Sequence, residues 1–289
     1  SIGVNALDAC DTETDNIAIG FEAMTSNNAG GELNIAIGTY TLDAAVTGDR
    51  NIAIGHSAMT AATGALEDTV IGDNACAGLT TGAYNTCIGK NSGNHTATLV
   101  NGSQNVLIGS YCHTSETDSD AANGLGHGIS AVAGYTTLGN GSNDIRAAHG
   151  NVSWATVSDE RVKKDITDST AGLSVINDLR PRTFKYKNKG DIPEAFGAYE
   201  EGSTEVYKNS DTNHGFIAQE VKSVIDNHPE LKDGFKMWDI REHTGQQEVG
   251  EAAIIPVLVK AIQELSAKND SLETSNQALI ARIEALENA

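Results

Sequence analysis

Ser158 is followed within six residues by two lysines, Lys163 and Lys164, at the place where the composition of the chain changes. A serine hydroxyl is a poor nucleophile at its own pKa and needs a base. A lysine can be that base only as the neutral amine. Its ordinary pKa of about 10.4 leaves it almost wholly protonated at pH 7, and burial or neighbouring positive charge lowers that value by several units. Arg161 lies between the serine and the lysines and would add such charge. On spacing alone, a serine followed by lysines is most often a solvated turn, and either lysine fits the part. The surroundings sharpen the reading. The 157 residues upstream hold only three basic side chains, Arg50, Lys90 and Arg146, whereas the 132 from Ser158 onward hold sixteen, and all of the proline. A serine at such a boundary fits a cut between two parts with different fates.

Other chemistries find little footing. There is no G-x-S-x-G, no H-E-x-x-H and no phosphate loop. Glu200-Glu201 reads as a solvated loop rather than a glycosidase pair. His113, His127 and His149 share no metal-ligand spacing and read as surface histidines. No cofactor and no metal is expected.

Three segments carry a family resemblance. Ser158-Asp159-Glu160-Arg161-Val162-Lys163 resembles the S-D-x-R-[LV]-K opening of the intramolecular chaperone domain that ends bacteriophage tail spikes and tail fibres, the peptidase S74 family. His214-Gly215-Phe216-Ile217-Ala218-Gln219-Glu220-Val221 resembles its G-F-I-A-Q-E-V, and Leu258-Val259-Lys260-Ala261-Ile262-Gln263-Glu264-Leu265 its L-x-K-A-I-Q-E-L. The resemblance implies a homotrimeric folding module that cuts itself off before the serine once the fibre has folded. It implies Ser158 as nucleophile, Lys163 as base and Val157–Ser158 as the bond cut, with Lys164 the competing base. Asp159 and Arg161 match motif positions and are assigned orientation or trimer contacts. Gln219 and Glu220 match as well, and a structural hydrogen bond explains them as readily as a catalytic role. Nothing in this resemblance bears directly on residues 1–157.

With 289 residues the chain has room for two or three domains. Its formal charge of −20 is shared by both parts, −12 over residues 1–157 and −8 over the remainder. That argues against nucleic acid, whose phosphates need a basic face. No apolar run approaches the roughly 18 residues of a membrane span. Aromatic residues are only 5% of the chain, too few for a conventional large core.

The upstream part organises its burial by repetition. Ile-Gly recurs at Ile2-Gly3, Ile19-Gly20, Ile37-Gly38, Ile54-Gly55, Ile71-Gly72, Ile88-Gly89 and Ile108-Gly109. Regular self-similarity of this length marks a repeat architecture. Asn or Asp stands four residues before the Gly (Asn16, Asn34, Asn51, Asp68, Asn85, Asn105), then a mostly β-branched residue, then a small or apolar one. Each repeat therefore predicts one short strand ended by glycine, and one coil of a stacked β structure. The pattern N-I-A-I-G-x-x-A also resembles head repeats of trimeric bacterial adhesins. Cys76, Cys87 and Cys112 fall in columns of small apolar residues and read as buried free thiols, in keeping with assembly in a reducing cytoplasm. The chain opens inside a repeat, at Ser1-Ile2-Gly3, which predicts a longer protein upstream. After Gly109 the regularity fades, and residues 113–150 read as a loop-rich cap or tip.

At the other end the apolar spacing alternates three and four: Ile255, Leu258, Ile262, Leu265, Asn269, Leu272, Asn276, Leu279, Ile283, Leu286. This is a heptad seam, in which Asn269 and Asn276 would set register at some cost in stability. Heptads alone allow a dimer; the family resemblance selects three chains.

The expected architecture is a mainly β, stacked-repeat homotrimer of β-roll or β-helix type over 1–157, an α+β chaperone domain over 158–250 and a coiled-coil helix over 251–289. Within the first part, regular repeats are assigned to 1–112 and an irregular stretch to 113–157. The expected function is a trimeric phage tail fibre or spike segment for host attachment, folded by a chaperone that then cleaves itself as a single-turnover serine peptidase. Its partners would be two further copies and a receptor or glycan on the host surface, with no nucleic acid and no membrane insertion. It would be assembled in the host cytoplasm and carried on the virion, with the chaperone released. The rival reading is an adhesin that stays intact, its C-terminal part only a trimerisation clamp.

Overall fold

The computed structural model describes residues 1–9, 14–26, 30–151, 153–231 and 234–288. Contacts divide the chain into two units, Ser1–Lys164 and Asp165–Ala289.

In the first unit six of the seven Ile-Gly motifs close a three-residue strand: β1 (Ile17–Ile19), β2 (Ile35–Ile37), β3 (Ile52–Ile54), β4 (Thr69–Ile71), β5 (Thr86–Ile88) and β6 (Val106–Ile108), while Ile2 of the first motif makes a single parallel bridge to Ile19. The middle residue points inward and is fully buried at Ala18, Ala36, Ala53, Val70, Cys87 and Leu107, while its β-branched neighbours stand outward. That is the period-two alternation of a strand with one packed face. Consecutive strands pair in parallel and in register, Ala36 opposite Ala53 and Ala53 opposite Val70. The result is a parallel β-solenoid of about seven turns. Met24, Leu42, Met59, Leu79 and Leu99 fill the rest of its interior.

The coil does not stop where the repeat fades. After β7 (His113–Thr114), which pairs with β9 (Ser130–Ala131), strands β8 (Asn123–His127) and β10 (Tyr135–Asn140) continue the same parallel sheet. Antiparallel β11 (Asn143–Ala148) ends it, giving nine strands among the described residues. The stretch 113–150, read as a loop-rich cap, is therefore largely further solenoid. Gly126 and Gly139 extend the glycine column beyond the Ile-Gly motifs.

Each glycine of that column adopts a backbone closed to other residues. Gly55 has φ +137°, and a Cβ there would run into the carbonyl of Gly72 in the next coil. The obstacle is backbone fixed by the sheet, so it cannot move aside. Gly55→Ala should lower the thermal midpoint markedly, since the conformation alone costs about 1–3 kcal/mol and the overlap adds to it. An unchanged midpoint would contradict this.

The cysteine reading needs correction. Cys76 and Cys87 are buried as expected, yet they form a disulfide, with Cα atoms 6.6 Å apart. Stacking brings the two columns together, although nothing in the linear spacing announces it. The cysteine argument for a reducing compartment lapses with it. Cys112 is a buried free thiol, pushed up to about 12 by burial. Such a thiol is unreactive. Cys10 lies outside the described residues.

The second unit is a mixed α/β region followed by a long helix. It contains α1 (Leu173–Asp178), β12 (Arg182–Phe184) antiparallel to β13 (Asn213–Gly215), α2 (Ala218–Asn227), and the hairpin β14 (Trp238–Arg241) and β15 (Gln246–Val249). Helix α1 ends before Pro181, and β12 begins directly after it. Val175, Val221, Val224, Ile225, Met237, Ile254 and Val257 form its core, with Phe216 packed against them.

Helix α3 (Ile255–Glu287) begins with Pro256 in its first turn, where a missing N–H costs nothing. Only Val257 and Ala261 of this helix are buried. The seam residues Ile255, Leu258, Ile262, Leu265, Leu272, Leu279, Ile283 and Leu286 all stand exposed in the single chain. No described helix is long and apolar enough to cross a membrane.

Candidate active site around Ser158

The chain reaches Ser158 from the last strand of the solenoid. Arg146 and Ala155 exchange backbone hydrogen bonds of 2.8 and 2.7 Å, and Thr156 Oγ1 donates to the Asp144 carbonyl at 3.2 Å. The peptide just upstream of Val157–Ser158 is thus held against β11. Val157 and Ser158 themselves are exposed.

One 3-10 turn, Glu160–Val162, then folds the chain back. Asp159 caps it: its Oδ1 accepts from the Arg161 backbone N–H at 2.9 Å. The same carboxylate accepts two bonds from the Arg161 guanidinium, 2.9 Å from Nε and 2.6 Å from the terminal nitrogen. The fork geometry of arginine makes this a planar, directional clamp. Arg161 holds the Asp159 carboxyl below its usual range, and Asp159 raises the guanidinium in turn. The Lys163 backbone N–H closes the turn on the Glu160 carbonyl at 3.0 Å.

The turn returns Lys163 to the serine. Lys163 Nζ donates to Ser158 Oγ at 2.7 Å. Of the two lysines left open by the spacing, Lys163 makes this contact. The neighbourhood is open to water: Val162 and Ile166 are 70% and 67% exposed. Asp159 and Arg161 hold the turn, a role the D-x-R spacing could have suggested, since an N-cap aspartate two residues before an arginine can take both its backbone and its side chain.

Gln219 and Glu220 lie in the second unit, on the first turn of α2. Glu220 accepts a two-pronged bond from Arg182, 2.9 Å from Nε and 2.5 Å from the terminal nitrogen, and Arg180 stands 3.7 Å away. Arg182 holds the Glu220 carboxyl below its usual range. This pairing ties α2 to β12, the structural explanation weighed for that motif residue. Gln219 is exposed at the rim of a groove also lined by Phe184, Tyr207 and Gln246. The third motif has a structural use as well. Glu264 of α3 accepts from the Leu173 backbone N–H at 2.8 Å and so caps α1, whose Gly172 leaves room for the carboxylate.

A match to a family model opens on the serine itself and runs over residues 158–229. This segment is a chaperone of endosialidase, or peptidase S74, domain. No curated protein and no solved structure matches the chain. The S74 chaperone family is autoproteolytic in general, and its domain supports trimer folding. In this S74 segment, the contact between Ser158 and Lys163 falls on the domain's first six residues. No group of His, Cys, Asp and Glu suited to a metal ion occurs among the described residues.

Proposed function

We propose that residues 158–289 are an intramolecular chaperone that brings three chains into register and then severs itself at Val157–Ser158, leaving the solenoid as the distal part of a phage tail fibre or spike that attaches to the host. The observation that carries this reading is the 2.7 Å contact of Lys163 Nζ with Ser158 Oγ at the opening of the S74 segment.

The chemistry follows from that contact. With Lys163 neutral, the hydrogen bond reverses and Ser158 Oγ–H donates to Nζ. Lys163 takes the proton as Oγ attacks the Val157 carbonyl carbon. The C–N bond breaks, the proton passes to the departing Ser158 nitrogen, and an ester links Val157 to Oγ. Water then hydrolyses the ester, giving a Val157 carboxylate and a free Ser158 amine. Asp159 and Arg161 act as positioning residues by holding the turn.

Assembly is supported by the placement of apolar surface. The outer face of the solenoid sheet presents Ile17, Ile19, Ile71, Ile88, Val106, Leu125 and Ile145 exposed, and the α3 seam adds a second exposed row. Like charges oppose the approach of copies of a chain of charge −20, and the apolar side chains of these two rows carry no charge. The seam would form first. Pairing of the solenoids, dominated by non-local contacts, would follow slowly under its hold. Cutting then removes the chaperone, so that the folded product persists kinetically.

The test is mass analysis of the expressed chain. Two fragments should appear, the smaller one reading S-D-E-R-V-K from its N-terminus. A single species of 30.2 kDa from a folded trimer would instead favour the intact adhesin.

A further inference from the structure

The solenoid interior carries a ladder of buried asparagines, and one rung differs. Asn34 Oδ1 accepts from the Asn51 backbone N–H at 2.8 Å, and its Nδ2 donates to the Gly48 carbonyl at 3.0 Å. Asn51 repeats this with the Asp68 N–H at 3.0 Å and the Ala65 carbonyl at 2.7 Å. Asn85 does so with Asn105 N–H at 3.1 Å and the Gly102 carbonyl at 2.9 Å, and Asn105 with Ala122 N–H at 2.8 Å and the Ser119 carbonyl at 2.7 Å. Every such rung thus accepts with its oxygen and donates with its amide, to the carbonyl three residues before the next rung.

Asp68 occupies the same column and is fully buried, the one carboxylic side chain among the described buried residues. Its Oδ1 accepts from the Asn85 N–H at 2.6 Å, as the pattern requires. Its Oδ2 is buried without a partner. By the ladder rule, the group due there is the carbonyl of Gly82. A carboxylate has no proton to give it, and two acceptors facing each other away from water repel. A neutral carboxylic acid has the needed O–H.

We propose that Asp68 stands in the folded solenoid as a neutral carboxylic acid whose Oδ2–H donates toward the Gly82 carbonyl in place of an asparagine amide, making this rung a proton-sensitive joint between neighbouring coils. The proposal is independent of the cleavage chemistry.

The surroundings agree. Burial pushes the Asp68 carboxyl up to about 7, against the hydrogen bond from the Asn85 backbone N–H that favours the charged form. The Leu66 N–H donates to the Gly82 carbonyl at 3.2 Å, which leaves that oxygen a second lone pair for an acid proton. Asn51 and Asn85, the rungs on either side, are neutral. The nearest charges in sequence and coil, Glu67 and Arg50, pair with each other at 3.7 Å on the exposed side. The sign of the pH dependence is fixed by this. In the unfolded chain the acid loses its proton near its ordinary value of 3.8, while the folded chain keeps it to about 7. The solenoid is therefore most stable, as far as Asp68 is concerned, below about pH 4. It weakens progressively as pH rises to about 7 and changes no further above that.

The test is thermal melting of the full chain and of Asp68→Asn from pH 4.5 to 8.5. Asparagine is native to this column, so the variant should fold. Its midpoint should exceed the parent's by a margin that widens with pH and levels off above about 7. Parallel curves, or a variant less stable at pH 8, would overturn the proposal. Infrared difference spectra add a direct readout: a protonated-carboxyl stretch at pH 5.5 in the parent, lost in Asp68→Asn. Absence of that band from the parent would equally refute it.

Discussion

Lys163→Ala should leave the chain whole while it still forms trimers. The substitution removes the amine that contacts Ser158 Oγ and touches neither the seam nor the solenoid face. A positioned general base is worth about 10²–10⁴-fold in rate, so cleavage should slow by at least about a hundredfold. Denaturing gels against time give the rate, and light scattering gives the assembly. The contact of Nζ with Oγ singles out Lys163 over Lys164. If Lys164→Ala stops the cut and Lys163→Ala does not, the two roles must be exchanged.

Charging the seam should abolish both trimers and cutting, although Ser158 and Lys163 remain. Leu265, Leu272 and Leu279 each stand exposed on α3 in the single chain. Replacing all three with Glu would put like charges where, on the proposed function, three helices pack together, in a chain already strongly acidic. The link to chemistry comes from solvent. In the single chain Val157, Ser158, Val162 and Ile166 lie open to water, and an exposed lysine is the wrong base at neutral pH. Docked copies would cover Val162 and Ile166 and strip water from the pair. The same dependence would prevent release of an unfinished fibre. Efficient cleavage by the monomeric variant would sink the coupling and leave an unregulated protease.

Much of this architecture was legible in the residues, for identifiable reasons. A strand repeated every coil leaves columns, and the columns of Ala18 and Asn34 announce their own burial. The family motifs placed the start of the matched segment at Ser158, because such motifs tie residue types to short spacing. What escaped was of two kinds. The corners of the solenoid are made by left-handed backbone at residues such as Met24, Leu42 and Met59, with φ of 53°, 50° and 53°. No glycine marks them, because stacking rather than local preference holds them there. Contacts between distant positions were equally silent. The Cys76–Cys87 bond, the Arg182–Glu220 clamp and the Glu264 cap on α1 each join residues whose separation carries no pattern. The continuation of the coil past Gly109 was hidden because later strands place Gly124 and Thr137 inward, outside the Ala/Val habit of the repeats.

The bond from Leu173 to Glu264 has a mechanical meaning. It anchors the long helix to the globular body beside Leu265, so the helix can neither slide nor swivel without uncapping α1. Slippage between helices of a bundle would then be handed on to the bodies they carry. One heptad of error is an axial displacement of about 10 Å, far beyond hydrogen-bond reach. Three bodies offset by that distance could not present equivalent surfaces to one another. Asn269 and Asn276, by opposing such slips, would act as an alignment gauge for parts of the molecule they never touch.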